Sequence, residues 1–432
     1  MRGRRIWILA FLFVLNMINY LDRIALSVSG KSIAHEFGLS SIQLGYLFSS
    51  FLWLYVVCLI PMGVLVDRLG TRTINAAGIA LWSAATIVTG AATGFGALLA
   101  SRLVMGIGES TTYPAAGRVL REWMPAHERG IAATVFNSGA YFGPAVGAIV
   151  LSALVAAAGW RMAFYLCGGL GFVWLVAWLF VYRLPERASW LARPERDMIL
   201  RERNAVAGAP ANAGKAAAAP DAPALGLAGL LAWPTLWALM LTQGCAVYTQ
   251  YLFLTWLPSY LQAQKGMTML KSGTLMALPF FGAVVLAVLL GLLSDRLLKG
   301  RTERRSRRRT MVAGTMLCSA VILAAPAISN VYVILVLIMI ALTGVSTAVA
   351  LNIALLSDLL DSAADIGRAT AVLIFGGNVF GLLAPIVTGY VIAETHDYEM
   401  AFALAGALLV IGCASCLLFA RNTTGYSAAR AA

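Results

Sequence analysis

GVLVDRLGTR, from Gly63 to Arg72, closes the second long apolar run of this chain and opens the third. A shortened copy, GLLSDR, stands at Gly291 to Arg296 after the eighth run. Gly63, Asp67 and Arg68 recur as Gly291, Asp295 and Arg296, each at a separation of 228. A second echo pairs Gly139 and Gly143 (GAYFGP) with Gly377 and Gly381 (GNVFG), at a separation of 238. Matches at corresponding places of two sets of apolar runs indicate a duplicated unit. Transporters built from such repeats hold their substrate between the halves, near the bilayer midplane.

Working outward from these loops gives the number of spans. The chain has 432 residues, of which 60% are hydrophobic and 12% charged. Soluble domains carry about 25% charged residues, so a soluble fold of this size lacks the charge to cover its surface. A helix needs roughly 20 apolar residues to cross about 30 Å of hydrocarbon. Twelve stretches qualify: 6–28, 42–65, 73–90, 95–119, 130–156, 162–182, 234–261, 272–293, 311–329, 331–356, 368–392 and 401–420. The expected fold is all-α, with twelve transmembrane helices in two pseudo-symmetric six-helix bundles. The expected division is an N-terminal bundle over 1–183, a cytoplasmic linker over 184–231 and a C-terminal bundle over 232–432. The linker is charged at first (PERASWLARPERDMILRERN) and then rich in Ala, Gly and Pro. It reads as a short surface helix followed by a flexible tether, a spacer without chemistry. The first run is too long for a removable signal peptide and lacks the cleavage site.

The net charge of +13 follows topology. Of the 32 Lys and Arg, 26 fall on the side that receives both termini, the linker, the Gly63–Arg72 loop and the basic loop from Arg296 to Arg309. The positive-inside rule places that side in the cytoplasm, so the protein is expected in the inner, cytoplasmic membrane with both termini inside. No aromatics interleave these charges to stack bases, which argues against nucleic acid. Cys58, Cys167, Cys245, Cys318, Cys413 and Cys416 all lie in apolar runs, and Cys413 and Cys416 read as small packing residues. His35, His127 and His396 lie in loops. His127, Glu128 and Arg129 read as a solvated loop edge. There is no Walker loop, HExxH, Ser–His–Asp set or metal cluster, and GIGES (Gly106–Ser110) follows no strand, so no cofactor and no enzymatic activity are expected.

Four ionisable residues fall inside spans: Asp22 and Arg23 in the first, Arg102 and Glu109 in the fourth. Each costs roughly 2.5–3.5 kcal/mol at a bilayer centre, so retention points to a function. Arg102 and Glu109 are seven residues apart, which returns them to one helix face about 10.5 Å apart along the axis. Gly106 and Gly108 between them permit close helix approach or leave room for a ligand. Asp22 and Arg23 point about 100° apart, so one can face a cavity while the other ties to a neighbouring helix. Asp67, Arg68 and Arg72, at a cytoplasmic helix end, read as a charge latch between helices that gates the transporter. Asn378 is either a ligand contact or an inter-helix hydrogen bond. Tyr20, Tyr55, Tyr248 and Tyr251 are candidate cavity residues, or packing.

The Gly63–Arg72 loop resembles the signature loop of the major facilitator superfamily. NYLDR (Asn19–Arg23), WLY (Trp53–Tyr55), the segment SRLVMGIGESTTYPAAGRVLREWMPAHERG (Ser101–Gly130), FNSGAYFG (Phe136–Gly143) and FGGN (Phe375–Asn378) resemble the anion:cation symporter family. That family includes carriers of galactonate, glucarate, hexuronates, sialic acid, phosphate and glutamate. The resemblance implies that Arg23 and Arg102 serve the substrate carboxylate, Asp22 and Glu109 take protons, and Tyr55 and Asn378 contact substrate. Leu59, where many sugar-acid members have glutamine, and Ala140, which replaces a polar residue, make the expected site less polar. The expected function is a monomeric proton symporter that imports a small organic anion. A sugar acid, an aromatic acid and a dicarboxylate stay open as cargo, as does a sensor that binds without transport. A carboxyl group in a partly desolvated site favours its neutral form and suits proton carriage.

Overall fold

The computed structural model describes residues 3–125, 128–208, 225–298, 304–360 and 362–420, and these contain helices and no strand. The helices are α1 (Ile6–Phe37), α2 (Ser41–Leu69), α3 (Thr71–Gly90), α4 (Phe95–Glu109), α5 (Thr112–Trp123), α6 (Arg129–Ala158), α7 (Trp160–Val181), α8 (Arg193–Gly208), α9 (Gly226–Leu231), α10 (Pro234–Ser259), α11 (Met269–Leu298), α12 (Arg304–Ser319), α13 (Val331–Leu359), α14 (Ala363–Thr395) and α15 (Tyr398–Phe419). Among the described residues, ten helical segments are long and apolar enough to cross a bilayer. The expected fourth span is divided between α4 and α5, and the seventh is α10, which carries Thr235, Thr242, Gln243, Thr249 and Thr255 among its apolar residues. Val57, Ile60, Val173, Phe180 and Leu289 stand exposed on their helices, as residues that meet acyl chains do.

Local chemistry sets the boundaries that position the site. Ser40 accepts from the Gln43 amide and Gln43 returns a bond to Ser40, a capping box that starts α2. Gly70 turns the chain from α2 into α3 at φ 87, in the left-handed region that favours glycine. The split of the fourth span at Ser110–Thr111 has its cause in Pro114. That ring supplies no N–H to the Ser110 carbonyl four residues back and crowds it. The hydroxyls of Ser110 and Thr111 turn back onto the Ile107 and Gly108 carbonyls. Glu109 is therefore the last residue of α4.

The chain forms two compact units. One is Met1–Ala213 with Leu261–Ala277, and the other is Gly214–Tyr260 with Leu278–Ala432. In the first unit, α1 and α6 make the most extensive helix pair, as α10 and α14 do in the second. A Cβ on Gly139 would come 2.8 Å from the Phe13 carbonyl oxygen, and one on Gly143 2.5 Å from that of Met17. On Gly377 it would come 2.8 Å from Gln243 Cγ, and on Gly381 2.8 Å from Tyr251 Cδ2. The repeated glycines thus mark the same close approach in each unit: the fifth span of each set against the first. The side chains of Asp295 and Arg296, in the other repeat, lie outside the described residues.

The linker's first part is more than a spacer. Trp190 stacks on Trp123 with ring centroids 5.3 Å apart and planes within 8°. Leu191 and Ile199 join the apolar core that holds Trp174, Trp178 and Tyr182. Glu195 accepts from the backbone amides of Arg4 and Arg5 and from the Arg5 guanidinium. A charged segment with well-spaced apolar residues was thus able to cover the end of the bundle. Glu128 corrects the expectation of a solvated loop edge. It is 8% exposed and takes two hydrogen bonds from Arg5, at 3.0 and 2.9 Å. Arg129 donates to the Arg121 and Met124 carbonyls, closing the end of α5. His127, the tether over 209–224 and the C-terminal residues from 421 lie outside the described residues.

Candidate functional site

The four in-span charges lie buried within the first unit. Asp22 and Glu109 are fully buried, Arg102 is 1% exposed and Arg23 4%. Their neighbours on the chain dictate how they meet. Asp22 and Arg23 diverge around α1. The Arg23 guanidinium crosses to α4, with Nε 3.0 Å and Nη2 2.8 Å from Glu109 Oε2. Asp22 instead faces α7, where the Cys167 thiol lies beside it. Neither Asp22 oxygen has a hydrogen-bond partner that meets ordinary geometry.

Arg23 is also surrounded by aromatic faces. Its guanidinium carbon is 4.5 Å from the Tyr20 ring centroid, 4.8 Å from Phe51 and 5.4 Å from Tyr55. Arg102 lies 5.4 Å from the same Phe51 ring, so one phenyl group touches both cations. Ring faces are electron-rich and attract cations. Close helix approach delivers Phe51 there: a Cβ on Gly106 would stand 2.0 Å from the Phe51 carbonyl oxygen. Arg102 is held differently from Arg23. One of its nitrogens lies 2.7 Å from Met105 Sδ, and its Nε has no hydrogen-bond partner. Among the described residues no carboxylate comes within ion-pair distance of it. The cluster thus contains one close ion pair, one guanidinium without a carboxylate in contact, and one fully buried carboxyl group beside a thiol. Asn19, fully buried, lies beside Glu109.

Tyr55 is buried within this cluster. Asn378 belongs to the second unit, where its amide donates to the Ile374 carbonyl of its own helix. Sequence reasoning passed over Phe51 and Cys167. Aromatic and cysteine residues in an apolar span carry no signal of their own, and only packing identifies them.

The Gly63–Arg72 region has its own network. Asp67 pairs with Arg118 at 3.3 Å, and Arg118 also donates to the Val66 carbonyl and to Glu122. Glu122 accepts from the Tyr182 hydroxyl at 2.8 Å. Arg72 donates to the Leu179 carbonyl, and Arg68 is exposed at the end of α2. Arg118 and Glu122 were not singled out from sequence. Their i, i+4 spacing at a basic helix end was the available signal.

The described residues of the second unit keep their charges near helix ends. Arg308 pairs with Asp358 where α12 begins and α13 ends. Asp365 opens α14, and Glu399 opens α15 and accepts from Tyr260. Within its spans the polar groups are neutral. Asn352, for example, donates to Gln243 and to the Leu239 carbonyl.

Helices of bilayer length in two corresponding units, one with ionisable side chains buried in its interior, define an integral membrane transporter. The chain belongs to the Major Facilitator Superfamily, whose family model matches residues 12–358 and 297–431. It is 32% identical over 426 residues to the D-galactonate transporter of Escherichia coli O6:H1, with 96% of each chain covered. It is 31% identical over 418 residues to the probable galactarate/D-glucarate transporter GudP of Escherichia coli K12, covering 94% of this chain and 90% of that one. The probable sulfoacetate transporter SauU of Cupriavidus necator is 32% identical over 411 residues, covering 94% of this chain and 91% of that one. Among solved structures, a bacterial homolog to the human lysosomal transporter Spinster, in an inward-facing and occupied conformation, has the same fold. The TM-score is 0.73 at 18% identity, with 98% of each chain covered. The protein is a transporter and not an enzyme.

Proposed function

We propose that the protein is a proton-coupled symporter that imports a small organic carboxylate, a sugar acid of the galactonate, glucarate or hexuronate class, by alternating access. It acts as a monomer in the inner membrane, with its termini in the cytoplasm. One observation carries this reading: the buried Arg23–Glu109 pair beside an Arg102 that has no carboxylate in contact. Two cations and two carboxylates balance before loading. A monoanionic substrate on Arg102 or Arg23 adds one negative charge, and a proton on Glu109 removes one and releases Arg23 to the substrate. Asp22 supplies a second proton site, so a dianion can be balanced too. Buried charge is costly unless paired, so substrate and proton load together. Tyr55 and Asn378 contact the substrate, and Asp67, Arg68 and Arg72 latch the helix ends between states. The anionic cargoes in the names of the relatives support the substrate class.

The test is Glu109→Gln in proteoliposomes. It is expected to abolish uptake driven by a proton gradient and to keep substrate counterflow. Continued accumulation by this variant would remove Glu109 from the coupling role. A thermal-shift screen against sugar acids, aromatic acids and dicarboxylates names the cargo, since a ligand that binds only the folded state raises Tm.

A further inference from the structure

Between Glu109 and the linker-side end of the first unit lies a series of buried polar atoms that make no hydrogen bond of ordinary geometry to the protein. Glu109 Oε1 is the first. Thr112 Oγ1 is the second, on a fully buried residue three positions on. The third is Asn75, also fully buried, with neither Oδ1 nor Nδ2 hydrogen-bonded. The fourth is Thr71 Oγ1, one helical turn from Asn75 and facing the Tyr182 hydroxyl. Tyr182 donates to Glu122, whose side chain is 14% exposed.

The helix register sets these groups at successive levels. A Cβ on Gly78 would stand 2.2 Å from Thr111 Oγ1, so this point of α3 is pressed on the start of α5. The connection between α3 and α4 is short, so α3 runs antiparallel to α4 and α5. Asn75, three residues before Gly78, and Thr112, next to Thr111, then occupy neighbouring levels of this packing. Thr71 and Glu122 occupy the levels nearest the linker. Orphaned polar groups inside a protein are costly, and ordered water normally satisfies them.

We propose that Thr112, Asn75 and Thr71 hold a chain of water molecules that conducts the proton of Glu109 to Glu122, on the side where the linker lies. This rests on the reading of Glu109 as the proton carrier. A water takes the Glu109 proton. Each member of the chain then receives one proton and passes one on. Tyr182 takes a proton from its neighbour as it gives its own to Glu122, and Glu122 releases that proton to solvent. No group is left changed. The break at Ser110–Thr111, directly after Glu109, gives the route its opening.

The experiment uses the full-length protein in proteoliposomes, with D-galactonate as probe cargo, or the best acid of the thermal-shift screen if D-galactonate is not carried. Thr112→Val and Asn75→Leu remove the polar atoms while keeping the branching of each side chain, and Thr112→Ser keeps the hydroxyl. Both apolar variants are expected to lose proton-driven net uptake several-fold with counterflow unchanged, and Thr112→Ser is expected to match the parent. The unmodified protein is expected to slow in D2O during net uptake and not during counterflow. Parent-like net uptake in both apolar variants overturns the route. So does a parallel loss of uptake and counterflow, which marks a packing role. If the variants do not fold, the isotope effect decides: its absence overturns the route. Substrate movement by the parent protein without any proton movement would instead refute the proton reading and leave these variants without a difference to show.

Discussion

Arg23 meets one carboxylate and three aromatic rings at once. Its removal leaves Glu109 without its buried partner. Breaking a buried pair from one side costs about 3–5 kcal/mol, whereas replacing both partners by apolar groups is often neutral. Arg23→Met is therefore expected to lower Tm in detergent strongly, and Arg23→Met with Glu109→Met to recover most of that loss. Additive losses would mean that the pair contributes little to the fold. At this scale the sequence was informative in one respect and silent in another. Ionised residues in apolar runs stand out because lipid makes them costly, so all four were visible. Their partners were not, because 86 residues separate Arg23 from Glu109 and no local pattern links them. Glu128 was misjudged for the same reason: its partner, Arg5, lies 123 residues away.

The helices were legible from apolar run length alone. The division of the fourth span at Ser110–Thr111 was not anticipated, although Pro114 was its signal. The docking of the linker was also missed. Apolar residues in so short and charged a segment do not announce a docking surface, and Trp190 finds its partner 67 positions upstream in Trp123. An offset aromatic pair adds about 0.5–1.5 kcal/mol beyond its buried area. Trp190→Ala combined with Glu195→Gln is expected to free residues 185–199 while the spans stay folded. Limited trypsin digestion should then cut faster at Arg187 and Arg196 than in the parent. Equal cleavage rates would show that these contacts do not restrain the segment.

Each unit presses the fifth span of its set against the first, but the two contacts differ in stiffness. Gly139 faces main-chain atoms of Phe13 and Met17, and Gly377 faces the flexible side chain of Gln243. Overpacking costs about 1–3 kcal/mol where neighbours cannot move. Gly139→Ala should therefore lower Tm clearly more than Gly377→Ala, and equal shifts would contradict the assignment. Duplication was legible from the glycine echo, because backbone contacts tolerate few residue types. The uneven placement of charge between the units has a consequence for how such a carrier diversifies. The half that holds the charge cluster is more constrained, since a single exchange there strands a buried charge. The half whose described spans hold neutral polar groups away from the helix ends, such as Gln243 and Asn352, has no such penalty there. New cargo preferences are accordingly open to that half, while the buried charge cluster of the other is inherited intact.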